Sequence, residues 1–232
     1  MPTPPSRDNI HQLFNEISPT YDLVNGILSF GLDSYRRKKI ASLIPKQKPL
    51  RLLDLATGTG DQLFSILKRR PFITGIGIDL AEKMLQIAKT KTTKALQDHL
   101  LFQVANATSL PFEDHSFDLL TISFGIRNIP CIETCFQEMY RVLKPQGTLF
   151  ILEFALPHNC IVRWGYLLYL RSMLPKLGRL ISQHPHAYTY LNQTIETFPH
   201  GEAFCHLLRK QGFHTTFKRL TLGIVNLYIA TK

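Results

Sequence analysis

The residues best suited to chemistry lie in a glycine-rich turn at the end of a short apolar run. The turn reads Asp54-Leu55-Ala56-Thr57-Gly58-Thr59-Gly60-Asp61. Gly58 and Gly60 permit a tight bend and let a ligand approach the backbone closely. A dinucleotide fingerprint needs a third glycine where this chain has Leu63, and the acids at the two ends of the turn would repel a pyrophosphate. The same acids suit a ligand that carries an ammonium and a sulfonium, so the turn favours S-adenosylmethionine over NAD.

Three further apolar runs end in polar residues that could hold the same ligand. Asp79 ends the second run about 20 residues after the turn, where an acid can accept hydrogen bonds from ribose hydroxyls. Helix capping is the alternative explanation for Asp79 taken alone. The third run ends at Asn106-Ala107, where an amide can reach an adenine edge, and the fourth ends at Ser123. Because the carboxyl ends of parallel strands meet at one edge of a sheet, these groups are expected to form one rim.

The elements that must position these residues alternate between strands and helices. The predicted strands are Leu50–Ala56, Ile73–Asp79, Leu101–Val104, Phe117–Ser123, Thr148–Phe154, and a final pair, Thr215–Leu220 and Gly223–Ala230. The first five are too apolar to face water, which implies a parallel sheet covered on both faces, and we expect the final pair to be antiparallel. The prediction is therefore an α/β fold with a mostly parallel seven-stranded sheet.

We expect one domain over residues 1–232, in four segments. These are a helical N-terminal cap (1–49), a cofactor-binding core (50–155), a helical lid insertion (156–200), and a C-terminal helix with antiparallel strands (201–232). The net charge of +10 is unevenly distributed, because the core holds eleven basic and eleven acidic residues and the excess lies on the flanks. Bulk positive charge is therefore not what binds the ligand of the core, which argues against a nucleic-acid partner.

The sequence gives no sign of export or of a metal site. Residues 1–6 lack the apolar segment of a signal peptide, and no run approaches the ~18 apolar residues of a membrane span. The four cysteines show no CxxC spacing, and His184-Pro185-His186 is typical of a loop. We therefore expect a cytoplasmic protein with reduced cysteines and no metal.

At this point the chain resembles a known family. The glycine turn and the acid ending the second strand look like the class I S-adenosylmethionine-dependent methyltransferases, which have a Rossmann-like fold. More narrowly, the chain is similar to the ubiquinone/menaquinone biosynthesis C-methyltransferases. The matching stretches span residues 14 to 229, and the most specific are Tyr21-Asp22-Leu23-Val24-Asn25 and Phe124-Gly125-Ile126-Arg127-Asn128. The family usually has His and Trp where this chain has Asp33 and Arg36.

The resemblance implies an S-adenosylmethionine-dependent enzyme that methylates a ring carbon of a prenylated quinol in menaquinone or ubiquinone biosynthesis, for example demethylmenaquinol. The residues that match the cofactor contacts of the family are Thr59, Asp79, Asn106, Ala107 and Ser123. Asp54, Gly58 and Gly60 complete the predicted cofactor site.

The resemblance also suggests residues for the quinol. Arg127 is the candidate for stabilising a phenolate oxygen, because a guanidinium does so without giving up its proton; a structural bridge to Asp22 or Glu16 is the alternative. Tyr21, or a water molecule, is the candidate for accepting the ring proton. The other predicted substrate-binding residues are Asp22, Asn25, Asn128, Tyr188 and Tyr190.

The insertion suggests a membrane contact. An apolar stripe is predicted from Trp164, Leu167, Leu168, Leu174 and Leu177, beside the basic residues Arg163, Arg171, Lys176 and Arg179. A basic amphipathic helix can dock on anionic lipid, where a prenylated substrate resides; a lid packed on the sheet is the alternative.

Two other functions stay open, an RNA-modifying or other small-molecule methyltransferase and a non-catalytic cofactor-binding subunit. The sequence also leaves open whether the chain forms a homodimer.

Overall fold

The computed structural model describes residues 7–29, 31–46, 48–174 and 185–232, with the side chains of all of these except residues 8, 28 and 185–189. The strands are β1 (Leu50–Leu55), β2 (Ile73–Asp79), β3 (Leu100–Val104), β4 (Phe117–Ser123), β5 (Leu143–Phe154), β6 (His214–Leu220) and β7 (Val225–Thr231). They form one sheet of order β3-β2-β1-β4-β5-β7-β6. β7 is antiparallel to both of its neighbours, and the other pairings are parallel. The predicted fold class is confirmed.

Helices lie on both faces of the sheet and beyond its carboxyl edge. They are α1 (Ile10–Ile17), α2 (Tyr21–Leu28), α3 (Leu32–Leu43), α4 (Asp61–Leu67), α5 (Glu82–Lys91), α6 (Ile132–Val142), α7 (Cys160–Leu168), α8 (Pro185–Thr197) and α9 (Glu202–Lys210). A π-helical turn, Tyr169–Met173, continues α7. Within the described part of the chain, no helix is long and apolar enough to cross a membrane.

Two apolar layers explain why the central strands are so hydrophobic. On one face, α6 and α9 pack Phe136 and Phe204 against the sheet. On the other face, α3 and α4 bury Ile40 and Leu63 completely. A strand between two such layers exposes few side chains, which is why five of the six residues of β1 are buried and its apolar residues do not simply alternate with polar ones.

Two strand boundaries differ from the prediction by more than one residue, and the others differ by at most one. β5 begins at Leu143 and not at the predicted Thr148, because Leu143 pairs with Phe117 across a register shift in β4. β7 begins at Val225, because Thr221–Gly223 forms a short 3-10 turn in which Thr221 and Leu222 have positive φ angles.

A third cluster joins the cap to the insertion. Val24 of α2 packs against Tyr166 of α7, Leu170 of the π-helical turn, and Ile195 of α8. These side chains are nearly inaccessible to solvent. The cap and the insertion thus pack against each other, and between them they leave the larger of the two cavities described below.

Candidate active site

The glycine turn joins β1 to α4 through residues with left-handed backbone angles. Ala56, Gly58 and Gly60 have φ angles of 47°, 56° and 83°. A Cβ atom on Gly60 would lie only 2.8 Å from the Phe64 ring, so this position requires glycine on both conformational and steric grounds. The bend is closed by a hydrogen bond of 3.0 Å from the Gly60 N–H to the Thr57 carbonyl.

Asp54 lies beneath this turn. Its two carboxyl oxygens accept hydrogen bonds from the hydroxyls of Thr57 at 2.6 Å and Thr121 at 2.5 Å, and its side chain is buried. Asp54 lines neither of the two cavities described below. Asp54 is a predicted cofactor residue, and the structure places it beneath the turn, where it accepts a hydrogen bond from Thr57 of the turn.

The burial of Asp54 gives stability a pH dependence. Burial raises the pKa of this carboxyl to about 6, although both threonine hydroxyls oppose the shift. A folded-state pKa above the unfolded one means that the stabilisation is complete below about pH 4 and is lost as the pH rises through about 6. Because of Asp54, we expect the unfolding free energy of the unaltered protein to fall by about 2–3 kcal/mol between pH 4 and pH 7, and we expect this fall to be absent in Asp54→Asn. Urea unfolding across this range tests it, and equal pH slopes in both proteins would contradict it.

The smaller cavity, of about 330 Å³, opens at the carboxyl ends of β1 to β4 and brings most of the predicted cofactor residues together. Its lining includes Gly58, Asp79, Asn106, Ala107 and Ser123. Asp79 accepts hydrogen bonds from the backbone N–H groups of Gly58 at 2.8 Å and Ala81 at 2.9 Å. Asp79 therefore orders the glycine turn. It does not cap α5, whose N-cap residue is Ala81 and has no side-chain capping bond.

Two buried polar atoms in the wall of this cavity fit a polar ligand. His11 Nδ1 and Asn128 Oδ1 are inaccessible and have no hydrogen-bond partner among the described residues. Leaving a buried polar atom unpaired costs about 1–3 kcal/mol, which a ligand with polar groups can recover. Together with Asp79, these atoms fit the ribose, amine and carboxylate groups of S-adenosylmethionine.

Gly125 forms another part of this cavity, where β4 ends against the turn. A Cβ atom at Gly125 would lie 2.6 Å from the Cβ atom of Ala56. We expect Gly125→Ala to push the turn outward, to lower the unfolding free energy by about 1–3 kcal/mol and to weaken cofactor binding. Calorimetric titration with S-adenosylhomocysteine and urea unfolding measure both effects. Gly165→Ala is the control, since nothing lies within 4 Å of its added Cβ; equal losses in the two variants would contradict the steric explanation.

An ion-pair cluster ties the cap to the glycine turn. The Thr59 hydroxyl donates to Asp22 of α2 at 2.7 Å. The ammonium of Lys91 bonds to Asp22 at 3.0 Å and to Asp61 at 2.5 Å. Neither Thr59 nor Asp22 lines a cavity. The structure thus brings a predicted cofactor residue and a predicted substrate residue together as a link between the two segments.

The larger cavity, of about 470 Å³, lies between the cap and the insertion. Most of its lining is apolar, and it includes the predicted substrate residues Tyr21, Asn25, Arg127, Asn128 and Tyr190. The side chain of Tyr188 lies outside the described residues. The two cavities share one wall, which consists of Phe14, Tyr21, Phe124 and Asn128.

Arg127 enters the larger cavity as half of a buried ion pair. Its Nη1 donates to Glu153 at 2.7 Å and to the Phe124 carbonyl at 2.5 Å. Its Nε is buried with no partner among the described side chains. The acid that holds Arg127 is therefore Glu153 of β5, and not Asp22, which bonds to Lys91 and Thr59.

Tyr21 lies in the shared wall in its neutral form. Burial raises the pKa of its hydroxyl, and the opposing effects of Arg37, a hydrogen bond with Asn25, and Arg127 do not cancel that shift. At neutral pH the hydroxyl is therefore protonated and acts as a hydrogen-bond donor. Of the two proton acceptors considered from the sequence, this favours water.

Sequence reasoning missed several residues of the site. Glu153 has a readable signal, because a carboxylate inside the apolar run Ile151–Phe154 must find a partner. Lys91 and His11 have none, since each reaches the site from a helix whose sequence looks ordinary.

Sequence comparison agrees with this geometry. The pattern of the ubiE/COQ5 methyltransferase family matches residues 4–232. A demethylmenaquinone methyltransferase of Bacteroides fragilis is 41% identical over 230 residues, with 97% of this chain and 93% of the relative covered. One from Thermus thermophilus is 40% identical, covering 95% of this chain and all of the relative. The ubiquinone/menaquinone biosynthesis C-methyltransferase UbiE of Cereibacter sphaeroides is 35% identical, covering 96% of this chain and 90% of the relative.

Solved structures agree on the fold. A SAM-dependent methyltransferase of Thermotoga maritima superposes with a TM-score of 0.64 at 19% identity, covering 95% of this chain and 98% of that one. A SAM-dependent methyltransferase of Aquifex aeolicus gives a TM-score of 0.61 at 16% identity, with 86% and 90% covered. The chain thus belongs to the ubiE/COQ5 methyltransferase family and is an S-adenosylmethionine-dependent methyltransferase.

Proposed function

We propose that this enzyme methylates a ring carbon of a prenylated quinol, with a demethylmenaquinol as the substrate. The observation that carries the proposal is the pair of cavities with one common wall. The smaller cavity is the more polar of the two and is lined by most of the predicted cofactor residues, and the larger one is apolar with a few polar groups near the wall. A substrate that consists of an aromatic ring with an apolar tail fits the larger cavity beside a cofactor in the smaller one. The names of the relatives point to the same substrate class.

Asp79, Asn106, Ala107 and Ser123 would hold S-adenosylmethionine beside the glycine turn, where the cofactor would supply an electrophilic methyl group. The contribution of the protein is alignment, which can supply about 7–11 kcal/mol when two reactants are held in contact. Phe124 and Asn128 belong to the wall that the two cavities share, so the cofactor and the substrate would meet beside them.

The polar groups of the larger cavity address the oxygen of the quinol. A ring carbon becomes nucleophilic when its neighbouring or opposite hydroxyl loses a proton. The unpartnered Nε of Arg127 and the protonated hydroxyl of Tyr21 are donors that can stabilise the resulting oxyanion. The hydrogen of the methylated carbon then leaves as a proton, for which water is the acceptor.

A labelled-methyl assay tests the proposal. The purified protein is given labelled S-adenosylmethionine, detergent, and either a reduced demethylmenaquinol or a methoxy-benzoquinol, with tRNA and rRNA in parallel. We expect label in the demethylmenaquinol. Label only in the benzoquinol would move the substrate to the ubiquinone branch, and label only in RNA, or in none of the four, would overturn the quinol proposal.

The proposal extends to a membrane contact at the outer face of α7. Ile161, Trp164 and Leu168 follow one another at helical spacing and are exposed by 75%, 70% and 50%. Leu174, predicted in the same stripe, instead lines the larger cavity, and Leu177 lies outside the described residues. Arg171 is paired with Glu196, so its charge is already balanced within the protein. The proposed membrane contact therefore rests more on the apolar stripe than on attraction between basic residues and anionic lipid.

We expect Trp164→Ser to weaken binding to vesicles of phosphatidylethanolamine and phosphatidylglycerol by several-fold, because an aromatic side chain favours the lipid interface. Flotation of the purified protein on a density gradient measures it. Phe72→Ser is the matched control, since Phe72 is 59% exposed but precedes β2 at the opposite edge of the sheet. Absence of flotation by the unaltered protein, or equal losses in both variants, would exclude this contact.

A further inference from the structure

The wall of the larger cavity contains more charge than an apolar substrate needs. Asp33, Arg36, Arg37 and Arg127 line it, and Glu153 lies behind Arg127. With every group ionised, these three guanidinium and two carboxylate groups leave one positive charge on the wall. Arg36, Arg127 and Glu153 are buried, and Asp33 and Arg37 are half-buried. Because charge is costly in an apolar surrounding, a partner of opposite charge stabilises each of these groups.

Two of the three arginines have their partner within the protein. Arg36 is paired with Asp33 at 2.9 Å and also donates to the hydroxyl of Thr221 at 3.1 Å. Arg127 is paired with Glu153, as described above. For Arg37, no carboxylate of a described residue lies within ion-pair distance. Within the described part of the chain, the charge of the wall that has no carboxylate partner is therefore on Arg37.

Arg37 lies near the wall that separates the two cavities. Its guanidinium carbon is 5.6 Å from the centre of the Phe124 ring, and Phe124 lines both cavities. Among the charged groups that act on Tyr21, Arg37 has the largest influence, ahead of Arg127 and Asp33. An oxygen bound beside Tyr21 would therefore lie in the field of Arg37.

Among the residues that the structure describes, the other titratable groups of this region do not supply the missing anion. Four tyrosines line the cavity among the residues whose side chains are described: Tyr21, Tyr166, Tyr169 and Tyr190. Burial raises the pKa of each, so that all four are neutral at pH 7. Asp54 also feels Arg37, but both of its oxygens are bonded to threonine hydroxyls beneath the glycine turn. A cation without an internal partner at this position is suited to an anionic ligand.

We propose that Arg37 is the counter-ion of the ionised ring oxygen of the substrate and so favours the nucleophilic form of the quinol. This inference rests on the proposed function, because it takes the substrate to be a hydroxylated aromatic ring. Arg37 provides net charge, whereas the charge of Arg127 is balanced by Glu153 and its Nε contributes a hydrogen-bond donor. An arginine suits this role because its guanidinium does not lose its own proton.

Titration of a bound probe tests the inference without methyl transfer. A 2-alkyl-1-naphthol, whose neutral and ionised forms differ in absorbance, is bound to the protein in the presence of S-adenosylhomocysteine, and its ionisation is followed against pH. We expect its acid dissociation constant to be about tenfold or more higher on the unaltered protein than on Arg37→Met, because an opposite charge within reach lowers a pKa by about 1–3. Arg37→Lys, which keeps the charge, is expected to retain most of the difference.

Arg51→Met is the matched control. Arg51 also places its guanidinium carbon over a phenylalanine, 5.2 Å from the ring of Phe117, but it lies near the start of β1, at the opposite edge of the sheet. Its loss is expected to leave the probe titration unchanged. Calorimetric binding of S-adenosylhomocysteine shows whether each variant is folded.

The outcomes separate this inference from the proposed function. An equal dissociation constant of the probe on the unaltered protein and on folded Arg37→Met would overturn the role of Arg37, even if the unaltered enzyme methylates a quinol. A tenfold difference between these two dissociation constants would support the role of Arg37 if the pH profile of methyl transfer also changes. In Arg37→Met, the acidic limb of that profile should move to higher pH. Failure of the unaltered enzyme on both quinols would overturn the proposed function, while the probe would still show whether Arg37 binds a phenolate.

Discussion

Asp79→Asn is expected to lose most of its affinity for the cofactor while remaining folded. The carboxylate of Asp79 accepts two backbone N–H groups, from Gly58 and Ala81, and an amide would place its own N–H₂ group against one of them. An amide is also a weaker acceptor than a carboxylate for the ribose hydroxyls of the cofactor. Losing one charged hydrogen bond costs about 1.5–3 kcal/mol, which corresponds to roughly a 10- to 150-fold rise in Kd when that bond is made to the cofactor. Isothermal titration calorimetry with S-adenosylhomocysteine measures this directly.

Asp118→Asn is the control for that experiment. Asp118 also accepts a backbone N–H, from Arg51 at 2.9 Å, and is paired with Lys144, but it lies near the start of β4, away from both cavities. It should bind the cofactor like the unaltered protein. If Asp79→Asn kept its affinity within threefold, or if both variants lost it equally, the placement of the cofactor against Asp79 would be wrong.

The second large effect is expected for the buried ion pair of Arg127 and Glu153. Arg127→Met leaves the Glu153 carboxylate, which is 1% exposed, without its cation. Removing one partner of a buried pair costs about 3–5 kcal/mol, and we expect urea unfolding to show a loss of that size. Arg209→Met, which breaks an exposed pair with Glu202, should cost no more than about 1 kcal/mol.

The double variant Arg127→Met/Glu153→Gln separates stability from chemistry. Because it leaves no unpaired buried charge, we expect it to regain most of the lost unfolding free energy. Methyl transfer should stay at least about 100-fold below that of the unaltered enzyme, since removing one donor to a developing oxyanion costs about 10²–10³-fold. Recovery of methyl transfer in the double variant would mean that Arg127 acts only by balancing Glu153.

The cofactor rim could be predicted well because its signals are local. Each strand of a parallel sheet is a continuous apolar run, and the residue that follows it must lie at the carboxyl edge. Asp79, Asn106 and Ser123 were therefore placed in one rim by chain position alone, and the structure gathers them around one cavity. The same reasoning could not show that Asp54 lies beneath the turn. Whether the side chain at the end of a strand points into the cavity or beneath the turn depends on the residue at which the strand ends and the turn begins.

The partners of the charged residues could be predicted only in part. Asp33 and Arg36 are three residues apart on one helix, a spacing that by itself suggests a pair. Arg127 and Glu153 are 26 residues apart and meet only because β4 and β5 are neighbours in the sheet. Thr59 and Asp22, 37 residues apart, meet only because the cap packs on the glycine turn.

The sequence by itself determined the α/β fold, the glycine turn and the chain positions that face a cofactor, since hydrophobic period and turn chemistry are properties of neighbouring residues. Only the tertiary structure decided that a second, apolar cavity shares a wall with the first, and that Arg37 is the arginine of that cavity with no carboxylate partner among the described residues. The reason is physical: the partner of a charge is set by distances between elements, and these become fixed only when the sheet, the cap and the insertion pack together.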